Sequence, residues 1–236
     1  MNTALIIAGG KGNRMGQDIP KQFINVYDKP VIVYTLEAFQ NHPMIDSIAV
    51  VLIDGWEEML RSYARQFGIS KLDIVVPGGV NGQDSIRNGI MAIAKNAGDD
   101  DLVLVHDAIR PMISEKIITE NIEVCRKKGN AITVIPCQEA MLLSPDGESA
   151  SESIARSTLK RTQTPQTFFV KDLKRLHEEA LEAGITNSIA SCTLMVEMGR
   201  QVYFADGSEK NIKLTTTDDL EIFKSLLTQK HSDWIK

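Results

Sequence analysis

Apolar and polar positions change period several times along the chain, and each change marks an element. Thr3 to Ala8 is a short β-favouring run without alternation, the pattern of a strand buried on both faces. Pro30 suits the start of a helix whose Val31, Tyr34, Leu36, Ala38 and Phe39 share one buried face. Ser47 to Ile53 reads as a second buried strand, Trp56 to Phe67 as a helix ending near Gly68, and Asp73 to Val76 as a third strand before the turn Pro77-Gly78-Gly79. Ile86, Ile90 and Ile93 predict a helix from Gln83 to Ala97, stopped by Gly98. Asp101 to His106 is the fourth strand. Ser114 then caps a helix through Lys128 with Gly129 just beyond it, and Ala131 to Cys137 is the next strand. Strands alternating with helices over short connections predict an α/β, doubly wound, mostly parallel sheet whose ligands bind at the carboxyl ends of the strands.

The alternation stops between Gln138 and Thr162, a polar stretch with the turn Pro145-Asp146-Gly147. It reads as an extended β-arm. Such an arm has little of its own domain to pack on, which predicts contact with a partner subunit. Further helices are expected over Val170–Ala183 and Ser191–Met198, and a strand over Gln201–Ala205. Thr216 with Asp219 forms a capping-box pattern before a last helix carrying Leu220, Phe223, Leu226 and Leu227 on its apolar face. Residues 1–229 are thus expected to form one domain, with 138–162 as its arm and 230–236 as a flexible tail.

Composition bounds this picture without changing it. The chain has 236 residues, 43% of them hydrophobic and 24% charged, ordinary for a single globular domain. A net charge of −5 argues against nucleic acid as a partner and requires any phosphate recognition to be local. Cys125, Cys137 and Cys192 lack metal-ligand or disulfide-framework spacing and are expected to be buried thiols. No apolar run reaches membrane-spanning length and Met1 leads straight into a strand, so the expectation is a cytoplasmic protein without a membrane partner.

The first strand opens into Gly9-Gly10-Lys11-Gly12-Asn13-Arg14-Met15-Gly16, followed by Pro20-Lys21-Gln22-Phe23. Glycines after a strand let backbone N–H groups approach phosphate oxygens, and Arg14 and Lys21 add cationic charge, so the stretch reads as a nucleoside triphosphate site. The alternative is a tight turn between strand and helix. The Walker pattern Gly-x-x-x-x-Gly-Lys-Ser/Thr is absent, and Gly16 comes one residue late for a dinucleotide fingerprint. Asp107 ends the fourth strand with Arg110 three residues on. They are open to two readings: a Mg²⁺ or acceptor-binding carboxylate beside an anion-binding guanidinium, or an ion pair closing a loop. His106 reads as a packed strand residue rather than a general base.

Six ordered motifs carry a family resemblance over nearly the whole chain. They are Ala8-Gly9-Gly10-x-Gly12-x-Arg14-Met15-Gly16, Pro20-Lys21-Gln22-Phe23, Gly78-Gly79 with Asp84-Ser85-Ile86, Val105-His106-Asp107-Ala108-x-Arg110-Pro111, Gln163-Thr164-Pro165-Gln166-x-Phe168, and Asn211-Ile212-Lys213-x-Thr215-Thr216-x-x-Asp219-Leu220. Together they resemble the polyol-phosphate cytidylyltransferases, which act on 2-C-methyl-D-erythritol 4-phosphate or ribitol 5-phosphate. The resemblance implies a nucleotidyltransferase fold, a homodimer joined by the arm, and transfer of CMP from CTP to a polyol phosphate with release of pyrophosphate. Mg²⁺ is the implied cation. The product would serve isoprenoid precursors or a surface polymer. By the same resemblance Arg14, Lys21 and Lys213 are catalytic, and Ala8, Gly9, Gly10, Gly12, Gly79, Val80 and Ser85 hold the nucleotide. Asp107, Arg110 and the partner's Arg156 face the acceptor, with Asp107 also a metal ligand, directly or through water. The chain departs from the family pattern at Glu139-Ala140, in place of Asp-Thr, and at Ile189-Ala190, in place of Thr/Ser-Asp. Both departures lie on the acceptor side. Two further readings share the glycine loop: a sugar-1-phosphate nucleotidyltransferase using another nucleoside triphosphate, and a non-catalytic dimer that binds nucleotide as a regulator.

Overall fold

The computed structural model describes residues 1–10 and 19–229. Strand β1 (Asn2–Ala8) is followed by the short pair β2 (Asn25–Val26) and β3 (Lys29–Pro30), helix α1 (Val31–Gln40), β4 (Ser47–Leu52), α2 (Glu57–Gln66) and β5 (Leu72–Pro77). Next come α3 (Gly82–Ile93), β6 (Leu102–Asp107), α4 (Glu115–Lys128) and β7 (Asn130–Pro136). The hairpin β8 (Met141–Leu143) and β9 (Glu152–Ile154) precedes β10 (Lys160–Phe169), α5 (Val170–Glu182), α6 (Ser191–Glu197), β11 (Phe204–Asp206) and α7 (Thr217–Gln229).

Seven strands form the main sheet in the order β11-β7-β10-β6-β1-β4-β5. All pairings are parallel except those of β10, which runs antiparallel to both β6 and β7. Period-two alternation sends successive strand residues to opposite faces. Ala4, Ile6 and Ala8 of β1 and Leu102 and Leu104 of β6 therefore pack beneath α1, α2 and α4. Leu5 of β1 and Val103 and Val105 of β6 meet α3, α5 and α6 on the other face. Continuous apolar runs in these strands follow from helices covering both faces.

The chain moves from β1 to β4 and β5 on one side, then returns through α3 to β6 on the other side of β1. The carboxyl ends of β1 and β6 thus flank a topological switch point, where an open α/β sheet leaves a crevice. Caps hold the helices that shape it. Ser114 accepts from Ile117 N–H at the start of α4, and Gly129 ends that helix at φ +98°, a left-handed conformation that favours glycine. Thr216 and Asp219 complete the expected reciprocal box, with Asp219 N–H donating to Thr216 Oγ1 at 3.2 Å and Thr216 N–H to Asp219 Oδ2 at 2.8 Å.

Three expectations need correction. Helix α3 ends at Ile93 with Ala94 as its cap, short of Ala97, because a tight turn follows in which Gly98 N–H bonds the Asp101 carboxylate at 2.8 Å. The last strand covers Phe204–Asp206 rather than 201–205. The arm is shorter than 138–162. Its hairpin is β8–β9, whereas Lys160 to Thr162 already pair with β7 as the start of β10. The tail expected over 230–236 lies outside the described residues.

Candidate active site

A cavity of about 660 Å³ opens at the carboxyl ends of β1 and β6. Its described lining includes Ala8, Gly9, Gly10, Lys21, Gly79, Val80, Ser85, Asp107, Arg110 and Lys213. Most of the residues singled out from sequence therefore converge. Arg14 and Gly12 lie outside the described residues, and Arg156 sits two residues beyond β9, away from the cavity lining, donating from Nη1 to the Gln138 carbonyl at 2.9 Å.

Lys21 is positioned by its two neighbours. They occupy a single 3₁₀ turn, Lys21–Phe23, in which Gln22 and Phe23 are buried. Gln22 Nε2 donates to the carbonyls of Ala8 at 2.7 Å and Gly10 at 3.2 Å, tying this turn to the glycine loop. Phe23 stacks on Trp56 with ring centroids 4.6 Å apart. These two buried anchors fix the turn that Lys21 opens, and Lys21 lines the cavity. The sequence motif contained Gln22, but its role was missed, because both carbonyls it binds lie 12 or more residues earlier in the chain.

The second glycine turn is equally constrained. Gly79 N–H donates to Ser85 Oγ at 3.0 Å, and that hydroxyl donates to the Asn81 carbonyl at 2.9 Å. Asn81 caps α3 by accepting from Asp84 N–H at 2.9 Å. A Cβ on Gly79 would stand 2.2 Å from Asp84 Cβ and 2.8 Å from Ser85 N, so this turn closes only with glycine. Ser85 faces the cavity while its hydroxyl fastens the turn that lines it.

Across the cavity, Asp107 binds two cations. Its Oδ1 accepts from Lys213 Nζ at 3.1 Å and its Oδ2 from Arg110 Nε at 3.1 Å. Burial would raise the carboxyl's pKa, but Lys213, Arg110 and His106 outweigh it and hold the group below the usual carboxylate range. The loop-closing ion pair expected as one reading of Asp107 and Arg110 is therefore present. Arg110 also donates from Nη1 to the Asn211 carbonyl at 2.7 Å, and Leu214 N–H donates to the Ile109 carbonyl at 2.9 Å. These bonds lay the 211–216 segment along the Asp107–Arg110 turn and so bring Lys213 into the site.

His106 is fully buried, as expected of a packed strand residue. Its Nε2 lies 3.2 Å from the Arg110 carbonyl and its Nδ1 3.0 Å from Thr164 Oγ1, which accepts from Asp107 N–H at 3.1 Å. A neutral ring protonated on Nε2 satisfies every member of this chain. Burial accordingly lowers the imidazole pKa to about 4. Thr164, Gln163 and Gln166 belong to β10 where its pairing with β7 shifts between Thr162 and Gln166, and all three line the cavity. Among the described residues no group of three or more His, Cys, Asp or Glu side chains is placed to hold a metal.

Residues 2–229 match the family model described as 2-C-methyl-D-erythritol 4-phosphate cytidylyltransferase. The chain is 43% identical to the ribitol-5-phosphate cytidylyltransferase of Lacticaseibacillus paracasei, over 98% of this chain and 99% of that protein. It is 34% identical to the 2-C-methyl-D-erythritol 4-phosphate cytidylyltransferase of Clostridium botulinum, over 96% and 97%. Among solved structures, the 4-diphosphocytidyl-2C-methyl-D-erythritol synthase of Anaerococcus prevotii matches with a TM-score of 0.82 and 25% identity, covering 97% of this chain and 96% of that one. The chain belongs to the 2-C-methyl-D-erythritol 4-phosphate cytidylyltransferase family.

Proposed function

We propose that this protein transfers CMP from CTP to a polyol phosphate, of the ribitol 5-phosphate or 2-C-methyl-D-erythritol 4-phosphate type, and releases pyrophosphate. The observation that carries this reading is the convergence of Lys21, Lys213 and Arg110 with two glycine turns around one cavity, in a chain of this family. The acceptor's phosphate oxygen is itself the nucleophile. It forms a bond to the α-phosphorus of CTP while the α–β bridging P–O bond breaks, and pyrophosphate leaves with that electron pair. No group on the protein has to remove a proton, so catalysis reduces to positioning and charge neutralisation. Lys21 and Lys213 supply positive charge where it grows on the α-phosphate and leaving group, a role the resemblance also gives Arg14. Gly9, Gly10, Gly79, Val80 and Ser85 receive the nucleotide. Asp107 aligns Lys213 and Arg110, which leaves Arg110 directed at the acceptor's anionic group.

Asp107 is the one carboxylate among the described lining residues, and it already carries two cations. This donor set fits a magnesium ion borne by the triphosphate, with Asp107 as at most one ligand, rather than an ion caged by protein. When bound, such an ion would neutralise charge on the phosphate oxygens.

We further infer a homodimer joined by the β8–β9 arm. The support is its exposed Met141, Leu142, Leu143 and Ile154, apolar side chains with little to cover them in a single chain. Arg156, beside this arm, would then serve the partner's acceptor site. Three unpaired cysteines favour a reducing compartment, the cytoplasm. No helix of the described residues is long and apolar enough to cross a membrane.

The test is pyrophosphate release from CTP and Mg²⁺ with ribitol 5-phosphate, 2-C-methyl-D-erythritol 4-phosphate and related tetritol and pentitol phosphates, with the CDP-polyol identified by mass. Ribitol 5-phosphate comes first, given the identities above. Silence across the panel together with no CTP binding by calorimetry would refute the proposal. Tighter binding of UTP than CTP would favour the sugar-1-phosphate nucleotidyltransferase reading.

A further inference from the structure

The walls of the cavity are fastened in two different ways. On the side of the glycine turns the fastenings are amide side chains. Gln22 holds the loop after β1, and the buried Gln83 of α3 donates from Nε2 to the Ile185 carbonyl at 2.6 Å and accepts from Ser188 N–H at 2.7 Å. On the side of Arg110 and Lys213 the fastening is apolar. It is a small cluster of the buried Val26, Val31, Ile109, Leu214 and Phe223, separate from the two clusters that cover the faces of the main sheet.

Members of this cluster come from distant parts of the chain and stand close in sequence to residues of the site. Ile109 precedes Arg110, Leu214 follows Lys213, and Val26 comes soon after the Lys21–Phe23 turn. The bond from Leu214 N–H to the Ile109 carbonyl joins two of these segments. Leu214 is 2% exposed, whereas the Lys213 side chain is 43% exposed and reaches Asp107, so burying the leucine turns the lysine outwards. Arg110 has bonds of its own to Asp107 and to the Asn211 carbonyl. Lys213 depends more on the course of its backbone.

Helix α7 sets that course. Among its described side chains only Phe223 is fully buried. The Phe223 ring meets Tyr34 edge-on with centroids 5.2 Å apart, and the Tyr34 hydroxyl donates to the Val26 carbonyl at 2.8 Å. One helical turn earlier on the same face, Asp219 Oδ2 accepts from Thr215 N–H at 2.7 Å, Thr215 Oγ1 at 2.9 Å and Thr216 N–H at 2.8 Å. The helix thus grips Leu214 through an apolar contact and the next two residues through a carboxylate. Phe223 itself is outside the described lining of the cavity.

We propose that Phe223 is a positioning residue for Lys213: it fills the centre of the cluster and so fixes the backbone from which the lysine reaches the reacting phosphates. The inference rests on the cytidylyltransferase reading above and holds whichever polyol phosphate is the acceptor. Truncating Phe223 leaves a void into which Leu214 can relax, and the adjoining lysine moves with it. A displacement of roughly 1 Å in a charge aimed at a transition state costs about 10²-fold in rate.

The experiment is a double-mutant cycle of Phe223→Ala and Lys213→Ala, with kcat read at saturating CTP, Mg²⁺ and the acceptor that the wild type turns over fastest. Phe223→Ala should lower kcat by about 50–100-fold when Lys213 is present, and by less than about fivefold in the Lys213→Ala background. Leu176→Ala is the control for stability alone, since it empties a fully buried site on α5 in a different cluster. It should lower Tm to a similar extent while kcat stays within about threefold of wild type. Equal fold-losses in the two backgrounds would overturn the proposal, as would a wild-type kcat in Phe223→Ala or a loss just as large in Leu176→Ala. Should Phe223→Ala not fold, Phe223→Leu gives the same comparison at about five- to tenfold against less than about twofold. No transfer by the wild type to any acceptor removes the cytidylyltransferase reading itself, a result distinct from transfer with independent losses.

Discussion

Replacing Gly79 by alanine separates the architecture of the site from its chemistry. The added Cβ would lie 2.2 Å from Asp84 Cβ, 2.7 Å from the Asp84 carbonyl carbon and 2.8 Å from Ser85 N, all rigid parts of the first turn of α3. Relief requires that turn to shift by roughly 1 Å, since ordinary carbon contacts begin near ~3.5 Å. Overpacking of this kind costs about 1–3 kcal/mol, and losing the 3.0 Å bond from Gly79 N–H to Ser85 Oγ adds about 1 kcal/mol. A total of roughly 2–4 kcal/mol in a chain of this size lowers Tm by about 5–15 °C. Gly10 is the control, because a Cβ there meets nothing within 4 Å among the described residues. Gly10→Ala should leave Tm within about 2 °C of the wild type and yet weaken CTP binding, if phosphate approaches the loop as closely as the cradle reading demands. Differential scanning calorimetry and CTP titration read the two quantities separately. A Gly79→Ala protein with wild-type Tm would refute the packing argument, and a Gly10→Ala protein with wild-type CTP affinity would refute the cradle.

Lys213→Ala should lower kcat by about 10²–10³-fold, the usual effect of removing a preorganised charge from a transition state. Tm should change little because Lys213 is partly exposed; a kcat within about threefold of wild type would remove it from the catalytic set. Stability should also fall with acid. Burial lowers both His106 and His177 to about 4, with Arg87 lowering and Asp84 raising His177, so the unfolded chain binds more protons than the folded one between pH 6.5 and 4. Stability is retained above pH 6.5 and lost as pH falls towards 4, by roughly 3 kcal/mol per histidine. Urea midpoints at pH 7 and 4.5 measure this, and His177→Leu should flatten about half of the fall. Equal midpoints at the two pH values would contradict it.

The parts of the fold legible in sequence were those whose cause is local. Continuous apolar runs identified β1, β4 and β6, and Ser114, Gly129 and the Thr216–Asp219 pair marked helix ends through short-range bonds. Strand β10 was missed although it lies inside the sheet. Its Gln163-Thr164-Pro165-Gln166 segment interrupts apolar alternation where its pairing with β7 shifts, and the polar groups are satisfied from far along the chain. Gln163 Nε2 donates to the Ser208 carbonyl, Thr164 Oγ1 meets His106, and Gln166 meets Cys192. Such non-local satisfaction leaves no periodic trace. The same holds for Gln22 and Gln83, which look like ordinary polar residues until the loops they fasten are folded around them.

The acidic chain and its phosphate-binding role are reconciled inside the cavity. The protein as a whole carries a net charge of −5, yet the charged residues in the described lining are three cations, Lys21, Arg110 and Lys213, against the single carboxylate of Asp107. The local field is therefore reversed where a polyanion must enter, and low-dielectric walls strengthen it. Asp107 prevents Lys213 and Arg110 from facing each other unscreened in the ligand-free protein, and it stays ionised through neutral pH because those cations hold its pKa down. An arriving phosphate thus exchanges one anionic partner for another and requires no change of protonation. The rate should accordingly be flat between about pH 7.5 and 8.5, above the second ionisation of the acceptor's phosphate near pH 6 and where neither Asp107 nor the buried His106 titrates. A profile that falls on both sides of that interval's centre would require a titrating group that neither the substrates' phosphates nor the described cavity supplies.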